Sequence, residues 1–587
     1  MGADDGPRNQ GSPARGNSAP AESPPALDRF FAEEYLKPLK LASLVVLLLA
    51  GCKDSQAPSD GTDPPPPPNA QSASVLTQHN DNTRSGLNDN ETALTTTNVN
   101  LQHFGAVFSV QVDNQVYAQP LVAGHVLIGD AYHNVVVVAT VNNTIYAFDG
   151  DNGTIYWQMN YTVPGMRPPS RFDMPGACGG AYTDFSANIG IVGTPVIDAT
   201  AGKLYFVARS TSSANGTFVQ YLHAVSITNG AEAPGSPMQI TASYPGTGDG
   251  SVGGVITFDA QRQNQRQGLT LVNGTVYVTF SSHCDWGPYH GWVLGYDAST
   301  LQQRVVYNDT PNGDAGGLWE SGMGMAADAE DNLYVVTGNG AVGDPGDPAN
   351  LTNRGSSALK LTPSGSTLHV ASYFTPSNYE LLNDYDLDYG GMGALLIPNT
   401  SLYLTGSKDG TLYLLNRDDM GGYQSAFNHV QQTVPLGGGT ANMHCQAAYY
   451  KGSSKEFVYV WSENDPLRAI PFDRASNLLS VQSEIYAGVP GPVGQSGAVL
   501  SVSSNGSQPG TGILWASYAS NGDAEHDVRP GVLRAFDAND VTKELWNNQT
   551  DPRDAAGTYA KFASPTIANG HVYLPTFSNR VVAYGLR

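Results

Sequence analysis

A short apolar strand recurs eight times along this chain. In order the copies are Val135-Val136-Val137-Val138, Leu204-Tyr205-Phe206-Val207, Val276-Tyr277-Val278, Leu333-Tyr334-Val335-Val336, Leu402-Tyr403-Leu404, Val458-Tyr459-Val460, Ile513-Leu514-Trp515 and Val572-Tyr573-Leu574. From 135 to 572 is 437 residues over seven intervals, or about 62 per repeat. Each copy is followed by a further strand, such as Tyr146-Ala147-Phe148-Asp149 or Leu294-Gly295-Tyr296-Asp297, and preceded by another. Asn273-Gly274 and Asn569-Gly570 read as tight hairpin turns, because both residue types tolerate positive φ. Units of that size built only of strands imply a radial array of small sheets. The expected fold is all-β: an eight-bladed β-propeller of four-stranded antiparallel blades. The last unit ends after three strands at Arg587. The strand Phe104–Val112, left over before the first unit, would supply the fourth strand of the last blade and close the ring.

Composition agrees. Charged residues are 14% of the 587, against a typical ~25%, while Gly numbers 66 and Tyr 30. That balance suits many turns and aromatic strands. The net charge of −23 repels phosphate backbones, so nucleic acid is not an expected partner.

Residues 41–50, LASLVVLLLA, follow Lys37 and Lys40. Ten apolar residues are too few to span a bilayer and suit a signal peptide. The run ends in Leu49-Ala50-Gly51-Cys52, which resembles a bacterial lipobox with Cys52 as the lipidated residue. Lys53 in the next position implies outer-membrane sorting by that resemblance. The expected organisation is a leader over 1–52, a Pro-rich linker over 53–74 stiffened by Pro64 to Pro68, and a propeller over 75–587. Membrane contact would come through the lipid anchor only, with the chain a monomer in the periplasm or at the cell surface. Besides Cys52 there are Cys178, Cys284 and Cys445, which allow one disulfide and leave its pairing open.

Ala147-Phe148-Asp149-Gly150-Asp151-Asn152-Gly153-Thr154-Ile155-Tyr156-Trp157 resembles the blade signature of pyrroloquinoline quinone (PQQ) type propeller repeats, and Ala535-Phe536-Asp537 to Trp546 is a weaker copy. The resemblance covers roughly residues 75–587 and implies that the Trp docks between blades. In the quinoprotein alcohol dehydrogenases of this family the channel holds PQQ, stacked on Trp, beside calcium and under a disulfide of adjacent Cys residues, with an Asp as base. This chain has no Cys-Cys pair.

Several residues are candidates for chemistry. Arg266 and Trp319-Glu320-Ser321 precede inner strands and can reach the channel, as can His444, where general-base chemistry would sit. Asp384, Asp386 and Asp388 alternate, so an extended segment would put three carboxylates on one face, a donor set for calcium. The loop from His283 to Trp292 gathers His, Cys and Asp. No nucleophile elbow, Walker loop or dinucleotide fingerprint occurs. The leading expectation is a binding or scaffold module, similar to the propeller lipoproteins of outer-membrane protein assembly, that holds a protein or glycan at its loops and channel mouth. The alternatives are a PQQ- and calcium-dependent alcohol or sugar dehydrogenase and a quinone-independent sugar-active enzyme.

Overall fold

The computed structural model describes residues 72–212, 216–344, 346–437 and 441–587. The leader, Cys52 and Pro64 to Pro68 lie outside the described residues. Eight antiparallel sheets stand around one axis. Their innermost strands are Leu121–Ile128, Val196–Asp198, Thr270–Val272, Ala326–Ala327, Met392–Leu396, Ala448–Lys451, Val499–Ser503 and Thr566–Ala568, which define blades 1 to 8. The apolar repeats of the sequence are the second strands. In blade 1, Leu121 faces Val137, Val137 faces Ala147 and Ala147 faces Trp157, so one row of side chains crosses the whole sheet. Asn273-Gly274 and Asn569-Gly570 turn with φ of 44° and 69°, and 55° and 80°. These are the doubly positive values that a two-residue hairpin with right-handed twist requires.

Phe104–Gln111 pairs antiparallel with Arg580–Leu586 and completes blade 8, as the sequence implies. The strand before the first blade and the last strand of blade 8 are therefore locked in one sheet, and no blade edge is left open at the ring junction.

Strand alternation builds the core. Val135 and Val137 pack with Leu204 and Phe206 of blade 2, while Val136 and Val138 pack with Tyr573, Val581 and Ala583 of blade 8. Successive residues thus serve opposite neighbours, which is the period-two geometry of a strand buried on both faces. Trp157 seals the outer part of the blade 1–2 junction, and its Nε1 donates to Ile227 O at 2.9 Å. Its ring lies so close over Gly230 that a Cβ there would come within 2.7 Å, and Gly230 has φ of 71°. Asn-Gly at 229–230 is therefore needed for the docking as well as for the turn.

Ahead of the ring-closing strand, residues 75–88 run around the axis and touch the inner strand of every blade in turn. Val75 bridges Val122 of blade 1, and Leu76 O accepts from Ile197 N of blade 2. Asn82 Nδ2 donates to Leu271 O of blade 3 and Asn82 O accepts from Ala327 N of blade 4. Thr83 O and Ser85 O accept from Leu396 N and Tyr449 N of blades 5 and 6. Leu87–Asn88 pairs in parallel with Val502–Ser503 of blade 7, and Asn88 Nδ2 donates to Ile567 O of blade 8 at 2.7 Å. The segment is a plug across the channel. Its Arg84 is wholly buried and donates to Met325 O, Thr77 Oγ1, Gln78 O and Thr270 Oγ1.

Candidate functional site

A cavity of about 140 Å³ occupies the axis on the other side of the plug. Its construction follows the eightfold repeat. Tyr117, Val192, Arg266, Gly322, Asp388, His444, Gln495 and Phe562 all border it, and each stands four residues before the first residue of an innermost strand. Every blade therefore aims the same backbone position at the axis. The side chains there differ in every blade, as a binding site on a repeated scaffold requires.

One wall is cationic and aromatic. The Arg266 guanidinium lies 5.2 Å from the Trp319 ring centroid and 4.6 Å from that of Phe562. Its Nε donates to Trp319 O at 3.2 Å. Its two terminal nitrogens have no carboxylate within ion-pair distance and no hydrogen-bond acceptor among the described residues. Surrounding protein lowers its pKa to about 10. Lys561, 5% exposed, donates to Glu525 O, and burial lowers it to about 8, with Asp184 opposing and Arg266 adding to the drop.

Another part of the lining is an acid–base network. Lys408 Nζ lies 2.6 Å from Asp388 and 3.3 Å from Asp386. Burial opposes the Lys408 charge, but the two carboxylates more than reverse this and hold its pKa above the usual lysine range. Burial likewise pushes Asp388 up, and Lys408 pulls it below the usual carboxylate range. Asp285, open to the cavity but ringed by protein, is raised to about 6 by desolvation and then by Asp388, while Tyr289 OH donates to it at 2.6 Å. Next along the ring, His444 Nδ1 lies 2.7 Å from Glu463 Oε1.

The disulfide is Cys178–Cys284. It ties the long loop between blades 1 and 2 to the hairpin loop of blade 3, and that loop brings Tyr182, Asp184 and Phe185 to the cavity. Cys445 is free and buried. His283 is fully buried between Tyr182 OH, at 2.8 Å, and Arg209, at 3.2 Å, so desolvation and the guanidinium keep it neutral. It holds the loop down and is not grouped with other metal ligands.

Arg266, Trp319 and His444 thus meet at one cavity. Two expectations are corrected. Glu320 does not reach the channel: it is 0% exposed behind the inner strands, where Oε1 accepts from Val336 N at 2.9 Å and burial raises its pKa to about 8. A short 3-10 turn over Glu320–Gly322, with φ of 47° at Glu320 and 49° at Ser321, swings it away. Nor do Asp384, Asp386 and Asp388 share a face. The segment is not extended: Asp384 ends the helix Tyr379–Asp384 and points to solvent, and Asp386 has φ of 55°. Only Asp386 and Asp388 converge, and they converge on a lysine. Among the described residues no three His, Cys, Asp or Glu side chains are grouped to hold a metal. Lys408, Lys561, Phe562 and Tyr182 were not anticipated, while Asp285, read from its loop with His283 and Cys284, reaches the cavity. Phe562 occupies the repeated position before blade 8, which the repeat itself could have revealed.

No family model matches the chain, and no curated protein does. Solved structures do. A quinohemoprotein alcohol dehydrogenase, ADHIIG from Pseudomonas putida HK5, is similar with a TM-score of 0.56 at 12% identity over 88% of this chain and 80% of that one. A quinohemoprotein alcohol dehydrogenase from Comamonas testosteroni gives 0.54 at 13% over 88% and 81%. A europium-containing methanol dehydrogenase gives 0.57 at 12% over 88% and 98%. At these identities the likeness is one of fold: the chain shares the β-propeller architecture of these three structures.

Proposed function

We propose that this chain is an exported binding module whose axial cavity takes a small, flat organic acid. The observation that carries the reading is Arg266, held between Trp319 and Phe562 with its terminal nitrogens bare toward the cavity. A guanidinium so held presents two parallel N–H donors to a carboxylate, and the flanking rings fix its plane. Lys561 adds a second cation, and Tyr117, Tyr182 and Phe185 supply faces on which an aromatic ring stacks. Export is supported by the apolar run before Cys52 and by Cys178–Cys284, a bond that persists in oxidising compartments. The proposed ligand is a small molecule rather than the protein or glycan the sequence suggested, because the converging groups line an axial cavity of about 140 Å³.

Two of the three fold neighbours are named for a quinone, and PQQ is itself a flat polycarboxylate of the proposed class. The residues present do not fit quinone and calcium together. Asp386 and Asp388 are both already paired with Lys408, whose ammonium occupies the space between them, and the Trp319 ring on which a quinone would lie is covered by Arg266.

Calorimetric titration of the purified protein with benzoate, and with PQQ with and without calcium, tests the proposal. Binding that weakens about 10- to 100-fold in Arg266→Ala, and less in Arg266→Lys, supports it. Absence of binding, or affinity unchanged in Arg266→Ala, refutes it.

A further inference from the structure

His444 has one committed nitrogen and one free nitrogen. Nδ1 lies 2.7 Å from Glu463 Oε1, and Glu463 is 6% exposed. A carboxylate only accepts, so in the neutral ring Nδ1 carries the proton and Nε2 keeps its lone pair. Nε2 has no hydrogen-bond partner among the described residues, and the ring borders the cavity. The donors around it are engaged. Lys408 is held by Asp386 and Asp388, and Gln446 Nε2 donates to Ser321 O and Phe562 O. The cavity therefore offers an acceptor, fixed in tautomer by Glu463, in the same space as the bare donors of Arg266.

We infer that the ligand is a hydroxy acid: its carboxylate pairs with Arg266 and its hydroxyl donates to His444 Nε2. This rests on the organic-acid reading above and names the class within it. Selectivity follows from what the alternative leaves behind. A ligand that fills the cavity without offering a hydroxyl would shut solvent off from Nε2 and leave a buried acceptor unpaired. His444 is then a specificity-determining residue, and Glu463 is a positioning residue that acts through it.

The three hydroxybenzoates and benzoate are the probes, titrated into the full chain. The expected result is that at least one isomer binds on the order of tenfold tighter than benzoate, and that this ratio falls to about one in His444→Phe. Glu463→Gln supplies an independent arm. A glutamine amide can either accept from Nδ1–H or donate to Nδ1, so the tautomer is no longer fixed and Nε2 is an acceptor in only part of the population. The preference should fall there too, with a mixture of histidine tautomers visible in ¹⁵N spectra. Equal binding of all four acids, or a preference that survives His444→Phe, overturns this inference and leaves the organic-acid reading standing. Binding of none of the four overturns both.

Discussion

Glu320 is a carboxyl group with no access to water, and replacing it with glutamine should change how the propeller responds to pH. Burial raises its pKa from the usual 4.5 to about 8, while the Val336 N–H and the Arg84 charge only partly oppose the shift. The folded state therefore binds the Glu320 proton more tightly than the unfolded chain. Stability from this group is complete below pH 4.5 and is lost as pH rises through 8. Each unit of difference corresponds to about 1.4 kcal/mol, so between pH 5 and pH 8 the group withdraws about 3.5 kcal/mol. Glu320→Gln keeps an oxygen for the Val336 N–H and removes the titration. Urea unfolding of both proteins across that range is the assay. The variant should match the wild type near pH 5 and exceed it by about 3 kcal/mol at pH 8. Parallel curves would refute the reasoning. A variant less stable at pH 8 would show that ionised Glu320 and Arg84 form a stabilising pair instead.

Other outcomes follow from the same structure. Replacing Cys178 and Cys284 together by serine should lower stability by about 2–4 kcal/mol and speed hydrogen exchange in the loop carrying Tyr182 and Phe185, which mass spectrometry can localise. Lys408→Met strands Asp386 and Asp388, of which Asp388 is buried. It should cost about 3–5 kcal/mol at pH 7, with part of the loss recovered near pH 4 as Asp388 protonates, read from melting temperature against pH. Trp157→Ala should destabilise by about 3 kcal/mol, measured in the same urea assay, because its ring fills the blade 1–2 junction over Gly230.

The fold was legible because it is written eight times. A strand buried on both faces shows as an apolar run, and Asn-Gly marks its turns, so blade number and closure by Phe104–Gln111 could be read directly. The site was legible only where it rides on the repeat. Arg266, Trp319 and His444 were found because they precede inner strands. Lys408 was not: it follows a second strand, and nothing local shows that it will meet Asp388. Alternation misled at Asp384, Asp386 and Asp388, since a helix and a positive-φ turn break the extended geometry the pattern assumed. Glu320 was misplaced by one sharp turn. Residues 75–88 carry no motif at all. Their role comes largely from backbone groups, with the side chains of Asn82, Arg84 and Asn88 added at scattered positions, so only the assembled ring reveals it.

That segment has a consequence for how the molecule comes to exist. It is synthesised before any blade, yet its partners are spread over residues 122 to 567. While the chain is still being made, the segment has nowhere to dock, and the strand that completes blade 8 waits for partners at the far terminus. Sequence-distant pairings of this kind form late and slowly. A ribosome that stalls before blade 8 would leave an open arc of apolar sheets, a target for proteases rather than a smaller working protein.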